Sequence, residues 1–509
     1  MRGFLSSTLC DYEVISMFGN WQSHSDYQSF LLDELNKLKA LHSTSLKKYQ
    51  EGISKLYLLN LDVIKDLIAP LFSHTGRPSG FQAQIFRSFV LMNHLHIYSV
   101  TRWCRFELPN DPVLCAAIGV NPDSIPSVGS HYDFIDRLIP LNDSNKLKSV
   151  KRKPTKKYKK GEKMPLKNPN IVDKLVNFII DNQDKPYVDH PQSLLQRIFT
   201  ETIVIPSANK GLLGDTSKLT VAADGTCMAT GASSYGVKVC ECRKKGIYDC
   251  KCDRRFSDPN ASWGWDSYNS RYFYGYTGYF AATYNSNFKL DLPVYLRIFD
   301  AKRHDSTSSV VAINELRHLY PAFNFDSYVL DSASDNYATY TLLNHWNVNA
   351  VIALNGRNKH SKYDGPLSIN KNGTPTCKGG YSMVFWGNCT SRHRIKWRCP
   401  LKTGKVSECK HSDNCSPSPY GRTVYTKPLS DLRLFTKIPR KSELFRIKMA
   451  SRTCCERVNN RILHNYDLEN SKVRGKKRIA FWSTICAFNI HLDAWLKCSN
   501  FSILSLLNI

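Results

Sequence analysis

Three carboxylates stand where an acid is informative. Asp224 follows the apolar run Leu219-Thr220-Val221-Ala222-Ala223, at the end of an expected strand, where an acid is costly unless it coordinates something. Asp331 repeats the arrangement after Ser327-Tyr328-Val329-Leu330. Glu456 lies in a helical stretch with Arg452 one turn before it and Asn459 close to one turn after, so the three share a face. Carboxylates that converge on two divalent ions about 4 Å apart can cleave phosphodiesters, and such hard oxygen ligands suit Mg2+ or Mn2+. Each acid also has an ordinary reading. Asp224-Gly225 fits a hairpin turn, Asp331 fits a helix N-cap with Asp335 as a rival four residues on, and a lone Glu on a helix is usually solvated.

The cysteines form a second set. There are 17, clustered rather than spread as a disulfide framework. Cys240-x-Cys242 and Cys250-x-Cys252 are close enough in sequence to close around one tetrahedral zinc, with free thiols as the alternative. Cys389, Cys399, Cys409 and Cys415, with His393 and His411 among them, offer a second zinc candidate whose ligand choice is open. Closed thiolate sites of this kind are structural, because they leave no position for substrate.

A formal net charge of +27 calls for a polyanionic partner, and nucleic acid is the obvious one. Its densest part is 145–168, where Lys151, Arg152, Lys153, Lys156 and Lys157 are DNA-binding candidates in a stretch with almost nothing to bury; a solvated tether is the bland alternative. The stretch from Trp263 to Tyr274 mixes aromatics with Arg271 and reads either as a base-stacking surface or, more simply, as an outer strand or hairpin. No secretory leader or membrane-spanning run is visible, so a cytoplasmic, nucleoid-associated protein without membrane contact is expected.

The elements that must position these residues follow from periodicity. Leu31, Leu35, Leu38, Ile64 and Leu67 recur at helical spacing, as do Ile85, Phe89 and Met92, and Ser130 is placed as the cap of a further helix. A helical N-terminal domain over 1–144, the basic linker 145–168 and a helical connector 169–217 are expected. Strands rich in Val, Ile, Tyr, Phe and Thr begin near 218 and then alternate with helices, which predicts a mixed α/β sheet over 218–355. A Cys-rich insertion spans 356–436, and helices over 437–509 rejoin the core.

A strand-end Asp, a second about a hundred residues later and a helical Arg-x-x-x-Glu resemble, in that order, the DDE transposases of the IS4, IS5 and IS1182 type. GRPSGFQAQIFRSFVLMNHL, DPVLCAAIGV and IPSVGSHYDFIDRL resemble the helical N-terminal domain of these enzymes, and the Cys-bearing insertion is similar to one found in some of them. The sequence departs from the family's C-terminal signature, with Met449 and Leu463 where a Tyr and a Lys stand; Arg457 and Arg461 are candidate substitutes. The resemblance implies a ribonuclease-H-like catalytic core, with Asp224, Asp331 and Glu456 as catalytic Mg2+ ligands and Arg452 as a DNA contact. It further implies binding to terminal inverted repeats and target DNA, strand cleavage and transfer, and a homodimer in the synaptic complex. The alternative is an inactive or co-opted zinc-containing DNA-binding protein derived from a transposase.

Overall fold

The computed structural model describes residues 21–72, 79–141, 145–148, 169–267, 269–356, 361–370, 372–389 and 391–508. Lys151, Arg152, Lys153, Lys156 and Lys157 lie outside the described residues. The chain divides into two units, Met1–Pro140 with Phe501–Ile509, and Leu141–Asn500.

The first unit is helical, as its periodicity predicts. His24–Leu38, Ser43–Leu58, Gln82–His94, Pro112–Ile118 and Val128–Leu138 bury Leu31, Leu35, Ile53, Leu56, Ile85, Phe89 and Phe134. The last of these helices is capped by Ser127, whose hydroxyl accepts the Ser130 N–H, so the cap lies three residues before the expected Ser130. The C-terminal residues join this unit and not the core in which 437–509 was expected. Ile503–Leu506 packs on Ser43–Leu58, the Ile503 N–H donates to Ser54 Oγ at 2.9 Å, and Phe501 stacks on Tyr57.

The second unit is mixed α/β. Its sheet is built from β1 (Leu219–Ala229), β2 (Arg271–Asn285), β3 (Leu290–Asp300), β4 (Phe325–Leu330) and β5 (Asn349–Ile352). The hairpin β2–β3 is antiparallel, β2 is antiparallel to β1, and β1, β4 and β5 run parallel, giving the order β3-β2-β1-β4-β5. Helix α1 (Asp305–Leu319) connects β3 to β4, and α2 (Tyr337–His345) connects β4 to β5. Parallel neighbours need such crossovers, and strands covered by helices become continuously apolar, as Val329, Leu330, Val351 and Ile352 are.

The strand Ser262–Asp266 extends the sheet beside the start of β2, pairing Trp263 with Tyr274 and Trp265 with Tyr272. The aromatic stretch is therefore an outer ribbon, the simpler of its two readings, and Trp263, Trp265 and Tyr272 remain exposed on it. Within the expected insertion, Val384–Cys389, Arg394–Arg398 and Thr423–Thr426 form a separate antiparallel sheet over a small core of Met383, Ile395 and Trp397. Among the described residues, no helix is long and apolar enough to cross a membrane.

Candidate active site

Register brings two of the acids together. Ala223 on β1 pairs in parallel with Leu330 on β4, so Asp224 and Asp331 are the next residues on neighbouring strands, which lie about 4.8 Å apart. Asp224 is not at a strand end, as the sequence suggested, nor in a hairpin turn. β1 continues to Ala229 because β2 pairs with it on the other side, with Asp224 opposite Phe280 and Gly225 opposite Tyr279. What ends there is the parallel pairing with β4. Asp331 precedes a short 3-10 turn, Ser332–Ser334, but its side chain makes no capping hydrogen bond.

Asp335 has a different task. It is buried and paired with Arg433 at 2.7 Å, and it accepts hydrogen bonds from the Tyr340 hydroxyl and the Asn355 N–H. That arrangement ties α2 to the chain after β5, and it leaves Asp331 as the acid beside Asp224.

Glu456 arrives on α3 (Thr453–Asn460). The expected long helix is interrupted: Glu443–Ala450 ends, Ser451 and Arg452 form the joint, and α3 starts anew. Two buried thiols fasten α3 to the sheet, Cys455 donating to Ala222 O at 2.7 Å and Cys454 to Ala282 O at 3.6 Å. The joint places Arg452 between two of the acids, donating from Nη1 to Asp224 Oδ2 at 2.9 Å and from Nη2 to Glu456 Oε1. Arg457 and Arg461 face elsewhere, paired with Asp291 and Asp493.

A fourth acid was not anticipated. Gly225 faces the opposite side of β1 from Asp224, and a Cβ built on it would lie 2.6 Å from Asp305 Oδ1. Asp305 opens α1, directly after the capping residue His304, so in sequence it looks like an ordinary first-turn acid. The only signal was an acid at the start of the helix that follows the β-hairpin.

Burial pushes the Asp224 carboxyl up to about 6; Arg452 opposes the rise, while Asp305 and Asp331 add to it. Asp305 is likewise raised, by burial and then by Asp331 against the opposing His304. Asp331 thus acts on both other Asp residues and on Arg452. The result is a like-charge group with one guanidinium inside it.

Among the described residues, Cys240, Cys242, Cys250 and Cys252 form the one group of His, Cys, Asp or Glu whose ligand atoms all lie within 4.8 Å of one another, and it could hold a metal ion. The acids are not drawn together to that degree, with Arg452 standing between Asp224 and Glu456. Within the quartet, the Cys242 N–H and the Cys250 thiol hold Cys240 down to about 7, whereas Cys242 is pushed up to about 12, first by its hydrogen bond with Cys252. Cys389, Cys399, Cys409 and Cys415, with His393 and His411, are not gathered in this way among the described residues; Cys389 instead hydrogen-bonds Ser391. Compared with known proteins, the chain matches no family model and no curated sequence.

Proposed function

We propose that this chain is a DDE transposase that binds the terminal inverted repeats of its own insertion sequence and cleaves and joins their strands. The observation that carries the reading is the β1–β4 register, which sets Asp224 and Asp331 side by side, with Arg452 linking Asp224 to Glu456. The sequence of three antiparallel strands, helix, strand, helix, strand in one mixed sheet supports a ribonuclease-H-like core.

Asp224, Asp331 and Glu456 are the residues that would hold Mg2+ or Mn2+. They offer hard oxygens; burial is what chiefly raises the Asp224 carboxyl, Asp305 and Asp331 add to it, and a divalent cation beside it would favour the ionised form. When bound, the ions supply water or hydroxyl activation and stabilisation of the leaving oxygen. Arg452 meanwhile bridges Asp224 and Glu456 and opposes the burial that raises Asp224, and its guanidinium suits a phosphate when a DNA strand enters. The excess of Lys and Arg supplies the contacts that position the duplex, while base contacts select the ends. Bringing two ends together calls for a homodimer. The quartet of thiolates belongs to a softer chemistry and suits Zn2+.

The test is metal-dependent nicking and strand transfer on an oligonucleotide carrying the inverted repeat that flanks the gene. Activity that needs the repeat and is lost in Asp224→Asn is the expected result. Specific binding with no cleavage by the wild-type chain would favour the co-opted DNA-binding protein instead.

A further inference from the structure

The Cys quartet sits on a part of the chain with little else to fold it. Its strands, Val237–Lys238 and Arg254–Arg255, are two residues each, and Tyr235, Val237, Val239, Ile247 and Tyr248 are all exposed. Apolar burial on that scale does not order a segment, and small modules of this kind rely on a staple. The sulfur spacing supplies one. Zn–S bonds of about 2.3 Å imply tetrahedral edges of roughly 3.8 Å. Cys240 lies 3.5 Å from Cys250 and Cys242 lies 3.6 Å from Cys252, each pair crossing from one arm to the other. A disulfide would need about 2.05 Å.

What the staple would hold is visible next door. Arg254–Arg255, two residues after Cys252, is the middle strand of a small sheet, with Val237–Lys238 on one side and Leu147–Lys148 on the other. The Phe256 N–H donates to Lys146 O at 2.8 Å, and the Lys148 ammonium lies 5.8 Å from the Phe256 ring centre. The head of the basic 145–168 stretch is therefore zipped to the arm that the quartet braces. Arg243, Lys245, Lys251 and Arg255 are exposed on the same module, whereas Lys244 pairs with Glu241 at 2.7 Å.

The geometry points to a zinc clasp: one structural Zn2+ on Cys240, Cys242, Cys250 and Cys252 orders this finger, which anchors residues 145–148 and presents Arg243, Lys245 and Lys251 to nucleic-acid phosphates. Binding releases the thiol protons, and the metal's free energy becomes folding free energy of the finger. The zinc half stands without the catalytic reading. The phosphate half rests on the chain acting on DNA.

The experiment uses the full chain, with metal content by mass spectrometry, amide exchange at Phe256, and duplex DNA binding across a salt series. About one zinc per chain is expected. Cys242→Ser with Cys252→Ser should lose it, and the Phe256 amide should exchange at least tenfold faster. Arg243→Gln, Lys245→Gln and Lys251→Gln together should keep the zinc and flatten the log–log salt dependence by about two to three. Asp224→Asn should leave zinc and salt dependence unchanged while cleavage is lost, which separates a failure here from a failure of the catalytic reading. Protein purified without zinc that also takes up none on titration, or unchanged Phe256 exchange in the double variant, overturns the clasp. An unchanged salt slope in the triple variant overturns the phosphate contact.

Discussion

Ala223 and Leu330 are directly paired across two parallel strands, and the residue that follows each is an aspartate.

Asp331 and Asp335 should separate cleanly. Asp331→Asn should reduce metal-dependent nicking by about a hundredfold or more with an unchanged unfolding midpoint, since on the proposed reading it removes a metal ligand without disturbing a cap. Asp335→Asn should instead destabilise the fold by about 3–5 kcal/mol, because Arg433 is left buried without its partner charge. Parallel activity and denaturation measurements check both, and the reverse pattern would assign the site to Asp335.

Asp305 should matter less than Asp224. It faces Gly225 from the α1 side, whereas Arg452 and Glu456 approach Asp224 from α3. Asp305→Asn removes a like charge from beside Asp224, so the Asp224 carboxyl should become easier to ionise. A Mg2+ titration of nicking should show at most about a tenfold loss in rate for this variant. A loss equal to that of Asp224→Asn would make Asp305 a ligand in its own right.

Cys455 links packing to chemistry. Its thiol donates to Ala222 O, two residues before Asp224, from a helix whose next residue is Glu456. Cys455→Ala should cost about 1–3 kcal/mol through the lost bond and the small cavity. It should lower nicking further than that loss alone explains, since Glu456 shifts against Asp224. Activity well below the transition temperature that matches wild type would refute the coupling.

Acid should weaken the second unit in two stages. His491 is held down to about 4 by burial, against the hydrogen bond it makes to Pro293 O. The unfolded chain takes up its proton first, so the His491 contribution falls as pH drops from about 6.5 towards 4, partly offset by Asp224, whose raised carboxyl is protonated first in the folded chain. For Glu315, burial pushes the carboxyl up, but His190, Arg297 and the Tyr295 hydroxyl outweigh it and hold the group at about 2. Its contribution is present above the unfolded value near 4.5 and is lost as pH falls towards 2. Urea midpoints across pH 2–8 should show both stages, and His491→Asn should flatten the upper one only.

Asp224 and Asp331 could be singled out because each follows a run of apolar residues that announces a strand, and the hairpin and alternating helices of the sheet were legible in the same way. Glu456, on a helix face like many others, was named through the resemblance and not by any period of its own. The strand around Asp224 was cut short in that reading, since from Asp224 onward it is held by β2 alone, a partnership that leaves no local trace. Asp305 was missed for the same reason: its place beside Gly225 depends on three strands and a helix coming together, while its neighbours advertise only a helix start. The break at Ser451 and Arg452 was invisible to periodicity because the apolar spacing runs through it. The CxC pairs were plain in the sequence, but that one quartet gathers while the later cysteines do not is decided by the tertiary fold.

The return of Phe501–Ile509 to the N-terminal unit has a consequence for the order of synthesis. The helix that packs on Ser43–Leu58 is translated several hundred residues after its partner, so this unit completes its packing only after the sequence of the second unit has been made. A fragment ending at Pro140 would carry Tyr57 and Ser54 without Phe501 and Ile503 to cover them. Any test of the proposed DNA binding on the helical unit alone therefore has to join Phe501–Ile509 to the N-terminal segment, since truncation at Pro140 leaves the unit's packing incomplete.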